Sequence, residues 1–370
     1  MMSLNTIIEE LEERISHPSS SIAQYRKEGY RIIGVPPCHV PEEILWASHA
    51  VPIGLWGSER KAVLSKEYFP SFFCSLLTTD LEMLLSGQLD CLDGIVLTEL
   101  CDSLKSFSQN IQRAKPELKC LPLSLPQQTE GKAVVFYLKE QLSAFAAEAG
   151  KLTGQPMDDA SLSEAIREEN RVRLLERAFV SLAAKHSKSV SPWQRCVVLK
   201  SRYFLSPLDS IAVLEKINTE LSALPEEKAE KRILTAGIIF DNRETLEMMK
   251  EDGLSICADR ILYEEGSYGY DAPTEDLDGL CQRYLRSSSS LLGKKLDQRL
   301  ADFSAALDQE HPDGVLYVMT KFCDPEEYDY PFLKRLASEK GYPFLTIEMD
   351  KGGESLGQNQ TILDAFGEMI

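Results

Sequence analysis

Two widely separated segments of this chain carry the same order of residues. Asp93-Gly94 opens an apolar run to Thr98 and leads to Cys101-Asp102. Asp313-Gly314 opens an apolar run to Thr320 and leads to Cys323-Asp324, with two extra residues before the cysteine. Each segment follows a basic strand start, a helix-period stretch and a second short apolar strand. Strand, helix and strand in such close order imply a parallel crossover unit. Its return in the second half calls for two similar sheets in place of one large one. The expected fold class is therefore α/β, with two similar lobes, each a short, mainly parallel sheet flanked by helices, and a helical segment between them.

The elements read as follows. Residues 3–30 are helical with a Ser/Pro break at 16–20, and Ile7, Ile8, Leu11 and Ile15 fall at helical spacing. Strands are predicted at Arg31–Val35, Val51–Trp56, Ile95–Thr98 and Leu121–Leu123. Pro41-Glu42-Glu43 opens a helix, since proline and acids suit a first turn. Residues 129–190 and 196–230 are largely helical and interrupt the strand–helix alternation. It restarts with strands at Lys231–Gly237, Leu254–Ala258, Val315–Met319 and Phe344–Glu348, and a last helix from about Ser355. These breaks divide the chain into an N-terminal α/β lobe with its leading helix (1–128), a helical linker or lid (129–230) and a C-terminal α/β lobe (231–370).

The 370 residues carry 58 acidic against 40 basic side chains, a formal net charge of −18. That field repels phosphate backbones and excludes nucleic-acid binding as a leading reading. No apolar run reaches the roughly 18 residues that a membrane span requires. The opening MMSLNTIIEELEERI is acidic and amphipathic, unlike a secretory signal, so a cytoplasmic location with no membrane association is expected. There is no GxxxxGK[ST] loop, and Leu291-Leu292-Gly293-Lys294-Lys295 lacks both its first glycine and its hydroxyl residue. No GxGxxG suggests a nicotinamide or flavin site. The serines at 287–290 read as a solvated loop or helix start.

Nine cysteines, an odd number, argue against a full disulfide set, and no CxxC pair or zinc-finger spacing occurs. In open parallel sheets ligands lie beyond the carboxyl ends of the strands, near the point where strand order reverses. Cys101 and Cys323 are both expected at that position, one from each lobe, heading a helix whose free N–H groups favour a thiolate. Cys74 also lies near a helix start and follows Phe69, Phe72 and Phe73, which would exclude water. Three thiolates converging in this way would suit an iron–sulfur site. The alternative is burial as small apolar side chains. Burial is the preferred reading for Cys91, Cys120, Cys196, Cys257 and Cys281. Cys38, in a Pro-Pro-Cys-His loop, is a spare ligand, and His39 beside it is read as a loop side chain.

Lys321-Phe322-Cys323-Asp324-Pro325-Glu326-Glu327-Tyr328-Asp329-Tyr330-Pro331 resembles the distinctive segment of the smaller (β) subunits of 2-hydroxyacyl-CoA dehydratases. That family includes the 2-hydroxyglutaryl-CoA dehydratase D-component and benzoyl-CoA reductase subunits. The resemblance covers nearly the whole chain. It runs through Pro41-Glu42-Glu43-Ile44 with Pro52–Gly57, then Tyr68-Phe69-Pro70 with Cys74. Cys101-Asp102-Ser103-Leu104 and Leu234–Ile238 continue it. Between Asp259 and Tyr270 the chain departs from the Gln/Arg-containing pattern of the family.

The resemblance implies a [4Fe–4S] cluster held by Cys74, Cys101 and Cys323, with a fourth ligand that is not a cysteine of this chain. It implies a homologous larger (α) subunit that carries most contacts to the acyl-CoA, and a separate ATP-dependent iron–sulfur activator protein. The chemistry implied is a radical elimination. One electron added to the thioester carbonyl of an (R)-2-hydroxyacyl-CoA gives a ketyl, which expels the 2-hydroxyl and acidifies the β-proton. The electron is recovered when the 2-enoyl-CoA forms. The cluster of this subunit would act mainly as an electron relay. Asp324, Glu326 and Glu327 read as the acidic first turn of a helix, with Asp324 the strongest candidate for a further role. Two alternatives stand: a subunit of an aromatic acyl-CoA reductase of the same family, and a non-catalytic cluster carrier or maturation protein.

Overall fold

A computed structural model describes residues 3–36, 39–126, 128–227, 231–287, 295–352 and 356–370. Cys38, Ser288 to Ser290 and Leu291 to Lys294 lie outside the described residues. Helices α1 (Leu4–Ser16) and α2 (Ser19–Lys27) lead into β1 (Arg31–Val35), α3 (Glu42–Ala47), β2 (Ala50–Gly54), α4 (Ser75–Leu85), β3 (Gly94–Thr98), α5 (Asp102–Ala114) and β4 (Lys119–Leu123). Four helices follow: α6 (Lys132–Thr153), α7 (Asp159–Lys185), α8 (Pro192–Ser201) and α9 (Pro207–Ser222). The strands then resume with β5 (Lys231–Gly237), α10 (Arg243–Glu251), β6 (Leu254–Ile261), α11 (Glu265–Tyr268), α12 (Leu277–Ser287) and α13 (Leu296–Glu310). The chain closes with β7 (Gly314–Thr320), α14 (Asp324–Glu339), β8 (Phe344–Met349) and α15 (Leu356–Met369).

The strands form two parallel sheets with the same order, β2-β1-β3-β4 and β6-β5-β7-β8. The α/β class with two similar sheets flanked by helices is as the repeat predicts. In each sheet the order reverses beside the strand that begins with Asp-Gly, and the aspartate locks that strand in place. Asp93 donates its N–H to Ile32 O at 2.8 Å and accepts the Ile32 N–H on its carboxylate at 2.8 Å. Asp313 does the same with Arg232, both bonds 2.7 Å long. The repeated dipeptide is thus a clamp on strand register.

Local signals set the helix starts. Ser3 caps α1, and capping boxes begin α7 (Asp158 with Ser161) and α8 (Ser191 with Gln194, Pro192 in the first turn). Helix α6 lays Leu138, Leu142 and Phe145 on Ile33, Val96 and Leu121 of the first sheet. One strand is longer than its sequence suggests. β6 continues past Ala258 through Asp259 and Arg260 to Ile261. The polar residues do not end it because Asp259 is buried against the Arg195 guanidinium, while Arg260 pairs with Glu265 at 3.2 Å. Among the described residues no helix is long and apolar enough to cross a membrane.

Candidate functional site

Cys101 follows β3 and is the N-cap of α5; Cys323 follows β7 and is the N-cap of α14. They occupy equivalent ends of equivalent strands, beside the point where each sheet's order reverses. Cys74 is the N-cap of α4, the helix after β2. An N-cap sulfur faces the orphan N–H groups of the first helical turn. The Leu104 N–H donates to Cys101 Sγ at 3.4 Å. The N–H groups of Leu77 and Leu76 favour the charged form of Cys74, and that of Glu326 favours the charged form of Cys323.

The three sulfurs are neighbours. A charge on Cys101 disfavours one on Cys74, and charges on Cys74 and Cys101 both disfavour one on Cys323. The Ser75 N–H donates to Lys321 O at 3.1 Å and ties the start of α4 to the loop before Cys323. In that loop Phe322 holds φ at 60°, a left-handed backbone rare for a bulky residue. Such strain concentrates at functional sites, and here it falls on the residue immediately before Cys323.

Burial is the largest influence on all three thiols. It pushes Cys74 up to about 12, raises Cys101, and lifts Cys323 well above the ordinary thiol range. Two buried thiols and a partly buried one, whose charged forms would repel one another, would stay protonated on their own, and an adjacent cationic core is what would hold them as thiolates. Among the described residues no three His, Cys, Asp or Glu side chains converge on a single ion. A cubane makes a different demand, since each thiolate binds a different iron and the sulfurs surround a volume. An all-sulfur donor set with three helix N-termini behind it suits an iron–sulfur cluster, whose cationic core and thiolates together carry a net negative charge.

The surroundings differ from the sequence reading in two respects. Phe69 is buried and stacks on Phe73 with ring centroids 3.9 Å apart, but Phe72 is 71% exposed and shields nothing. Glu326 lies in the first turn of α14, as expected, yet it is fully buried. Its carboxylate accepts the N–H groups of Ile238 and Thr320, each at 2.6 Å. Asp324 and Glu327 stay exposed in that turn. Cys196, Cys257 and Cys281 are buried, Cys91 and Cys120 partly so. The His39 ring lies against Tyr284 with centroids 5.7 Å apart.

Sequence reasoning missed the buried ion pairs that join the middle helices to each other and to the two lobes. Arg173 pairs with Glu43 of α3, and Arg202 takes Glu176 and Glu169 at 2.8 and 2.7 Å. Arg195 of α8 is held between Asp259 and Glu264, and Tyr268 also bonds Asp259. The segment that departs from the family pattern is therefore pinned by buried charge. A signal for the first group existed: Glu169, Arg173 and Glu176 fall at i, i+4 and i+7, one face of α7, and that face is buried.

The sequence model of the family described as "2-hydroxyglutaryl-CoA dehydratase, D-component" matches residues 37–370. The chain belongs to this family. It is 34% identical to the (R)-2-hydroxyglutaryl-CoA dehydratase subunit beta of Acidaminococcus fermentans, over 100% of both chains. It is 31% identical to the (R)-phenyllactyl-CoA dehydratase beta subunit of Clostridium sporogenes, again over 100% of both. A benzoyl-CoA reductase subunit of Thauera aromatica is 24% identical over 91% of this chain and 89% of its own. The D-component match contains Cys74, Cys101 and Cys323, the whole second sheet and every strand of the first but β1.

Proposed function

We propose that this chain is the β subunit of a 2-hydroxyacyl-CoA dehydratase, with Cys74, Cys101 and Cys323 holding a [4Fe–4S] cluster. The observation that supports the reading is that Cys101 and Cys323 cap α5 and α14 beside the points where the two sheets reverse their strand order, with Cys74, at the cap of α4, near enough for its charge to act on Cys323. Full-length likeness to two dehydratase beta subunits supports the reaction class. When bound, such a cluster supplies one-electron storage and transfer. The chain's own residues cap the sulfurs with N–H groups, bury them, and join the two halves through Ser75 and Lys321. The larger homologous subunit would carry the acyl-CoA through the ketyl elimination. With no phosphate-binding loop in this sequence, ATP hydrolysis falls to a separate activator.

Purification without oxygen, from the cells in which the chain naturally occurs, tests this. About four irons and four sulfides per chain are expected, with a low-temperature EPR signal on reduction and a larger homologous subunit in the same fraction. Iron-free protein with nine titratable thiols would overturn the cluster assignment. Full iron occupancy in Cys323→Ser would show that the ligand was wrongly chosen. The likeness to the Thauera aromatica benzoyl-CoA reductase chain favours one second reading, an aromatic acyl-CoA reductase. Incubating the assembled enzyme with a 2-hydroxyacyl-CoA and with an aromatic acyl-CoA separates the two.

A further inference from the structure

A cavity of about 530 Å³ opens beside the cysteines. Its walls include Phe69, Phe73 and Ser75 on one side of the chain's midpoint, and Lys321, Phe322 and Asp350 on the other. The size lies within the range of small-molecule sites.

Lys61 and Lys66 also line it. Lys321 is partnered by Asp350 at 2.9 Å, whereas Lys61 and Lys66 are exposed and have no ion pair among the described residues. On a chain of net charge −18, two unneutralised lysines with a third beside them form a local anion-attracting field. The cavity also presents an aromatic face. Phe107, Phe69 and Phe73 lie in one column, with centroid separations of 6.3 and 3.9 Å and interplanar angles of 21° and 5°. Phe73 is the half-buried ring at the cavity end of this column. Another flat ring can extend such a stack, and the lysines are placed for phosphates attached to it.

We propose that this cavity binds the phosphate-bearing purine nucleotide portion of a ligand, the base on Phe73 and the phosphates between Lys61 and Lys66. Two sources share that chemistry: the nucleotide end of a coenzyme A thioester, and a free adenine nucleotide. The first rests on the dehydratase reading above; the site itself does not. A ligand seated here touches the chain neighbours of Cys74 and Cys323, so its arrival would be felt at the cysteine site.

Titration calorimetry on the full chain, purified without oxygen, tests the proposal with coenzyme A, dephospho-coenzyme A, ADP and inorganic pyrophosphate as probes. Coenzyme A or ADP should bind one per chain, more tightly than pyrophosphate, and less tightly as salt rises. Lys61→Ala/Lys66→Ala should weaken that binding about tenfold or more. The matched Lys27→Ala/Lys216→Ala should leave it unchanged. Preference for coenzyme A over ADP, lessened in dephospho-coenzyme A, identifies the thioester carrier; the reverse preference identifies the free nucleotide. No saturable binding at millimolar concentrations, or binding unaltered by the first double substitution, overturns the proposal. Lysine acetylation mapped by mass spectrometry adds a second readout. Protection of Lys61 and Lys66 by a protein partner but by no nucleotide also overturns it and marks a docking face. Iron content measured on the same sample reports separately on the cysteine site.

Discussion

Glu326 accepts the Ile238 and Thr320 N–H groups, the first just past the end of β5 and the second at the end of β7. The Tyr317 hydroxyl donates to its backbone oxygen at 3.0 Å. One carboxylate thus satisfies two strand-end donors that water cannot reach. A glutamine amide offers only one acceptor oxygen, so Glu326→Gln should leave one buried N–H unpaired and cost about 1–3 kcal/mol of stability. Urea unfolding of the iron-free variant against iron-free wild type measures it, and an unchanged midpoint would remove the carboxylate from this role. Gly237, just before Ile238, has φ at +146°, and a Cβ there would lie 2.2 Å from Val318 O. Both the backbone conformation and the space exclude a side chain. Gly237→Ala should therefore destabilise by roughly 2 kcal/mol or more, through strain and displacement of β7. The same unfolding series would show it as a lower midpoint with an unchanged slope.

Strands and helix starts were legible because short-range chemistry specifies them. Asp93-Gly94 and Asp313-Gly314 announce their strands, and the aspartates bond in matching ways to Ile32 and Arg232. Asp313→Ala should cost about 1 kcal/mol and speed amide exchange at Arg232 and along the start of β5. Wild-type protection there would mean that the clamp is redundant. Equivalent strand ends likewise pointed to Cys101 and Cys323 independently of any family likeness. Cys74 was less legible, since its nearness to the other two depends on how α4 meets the loop at Lys321, a tertiary contact with no local signature. Buried charge was least legible. Asp259 and Arg260 read as the end of a strand, yet β6 runs through them because Arg195 arrives from α8, distant in sequence. Removing one partner of such a buried pair leaves the other uncompensated. Arg195→Met should thus cost about 3–5 kcal/mol, measured by the unfolding midpoint. A loss below about 1 kcal/mol would show that water or a rearranged neighbour replaces the guanidinium.

Across the whole molecule, the balance of buried carboxyls fixes how stability responds to pH. Burial raises Asp80 to about 7, against the opposing pull of the Gly57 N–H and Lys351. Burial also raises Glu176 and Glu264, with Arg202 and Arg195 only partly offsetting it. Other carboxyls move the other way, among them Glu43, where Arg173 and Arg283 outweigh burial, and Asp241, where Lys200 and Lys351 do. A carboxyl with a raised value keeps its proton when folded after the unfolded chain has lost it. Its contribution to stability is therefore full below the unfolded value, near 4, and disappears as pH climbs toward 7. A depressed carboxyl contributes fully above its unfolded value and loses that contribution only in stronger acid. Between pH 5 and 7 His39, which burial lowers to about 4, adds stability as pH rises. The raised carboxyls, with Glu42 and Glu326 also near 7, outnumber it, so the folded chain becomes less stable as pH rises. Self-repulsion acts in the same sense, because the net charge of −18 is attained only as carboxyls ionise. Urea unfolding should give a stability about 1–3 kcal/mol greater at pH 5.5 than at pH 7.5. Asp80→Asn, which keeps the shape and an acceptor for Gly57 but cannot ionise, should flatten the dependence. A midpoint that rises with pH across this window would show that the buried carboxyls are already charged when the chain folds and that His39, whose value burial lowers, dominates.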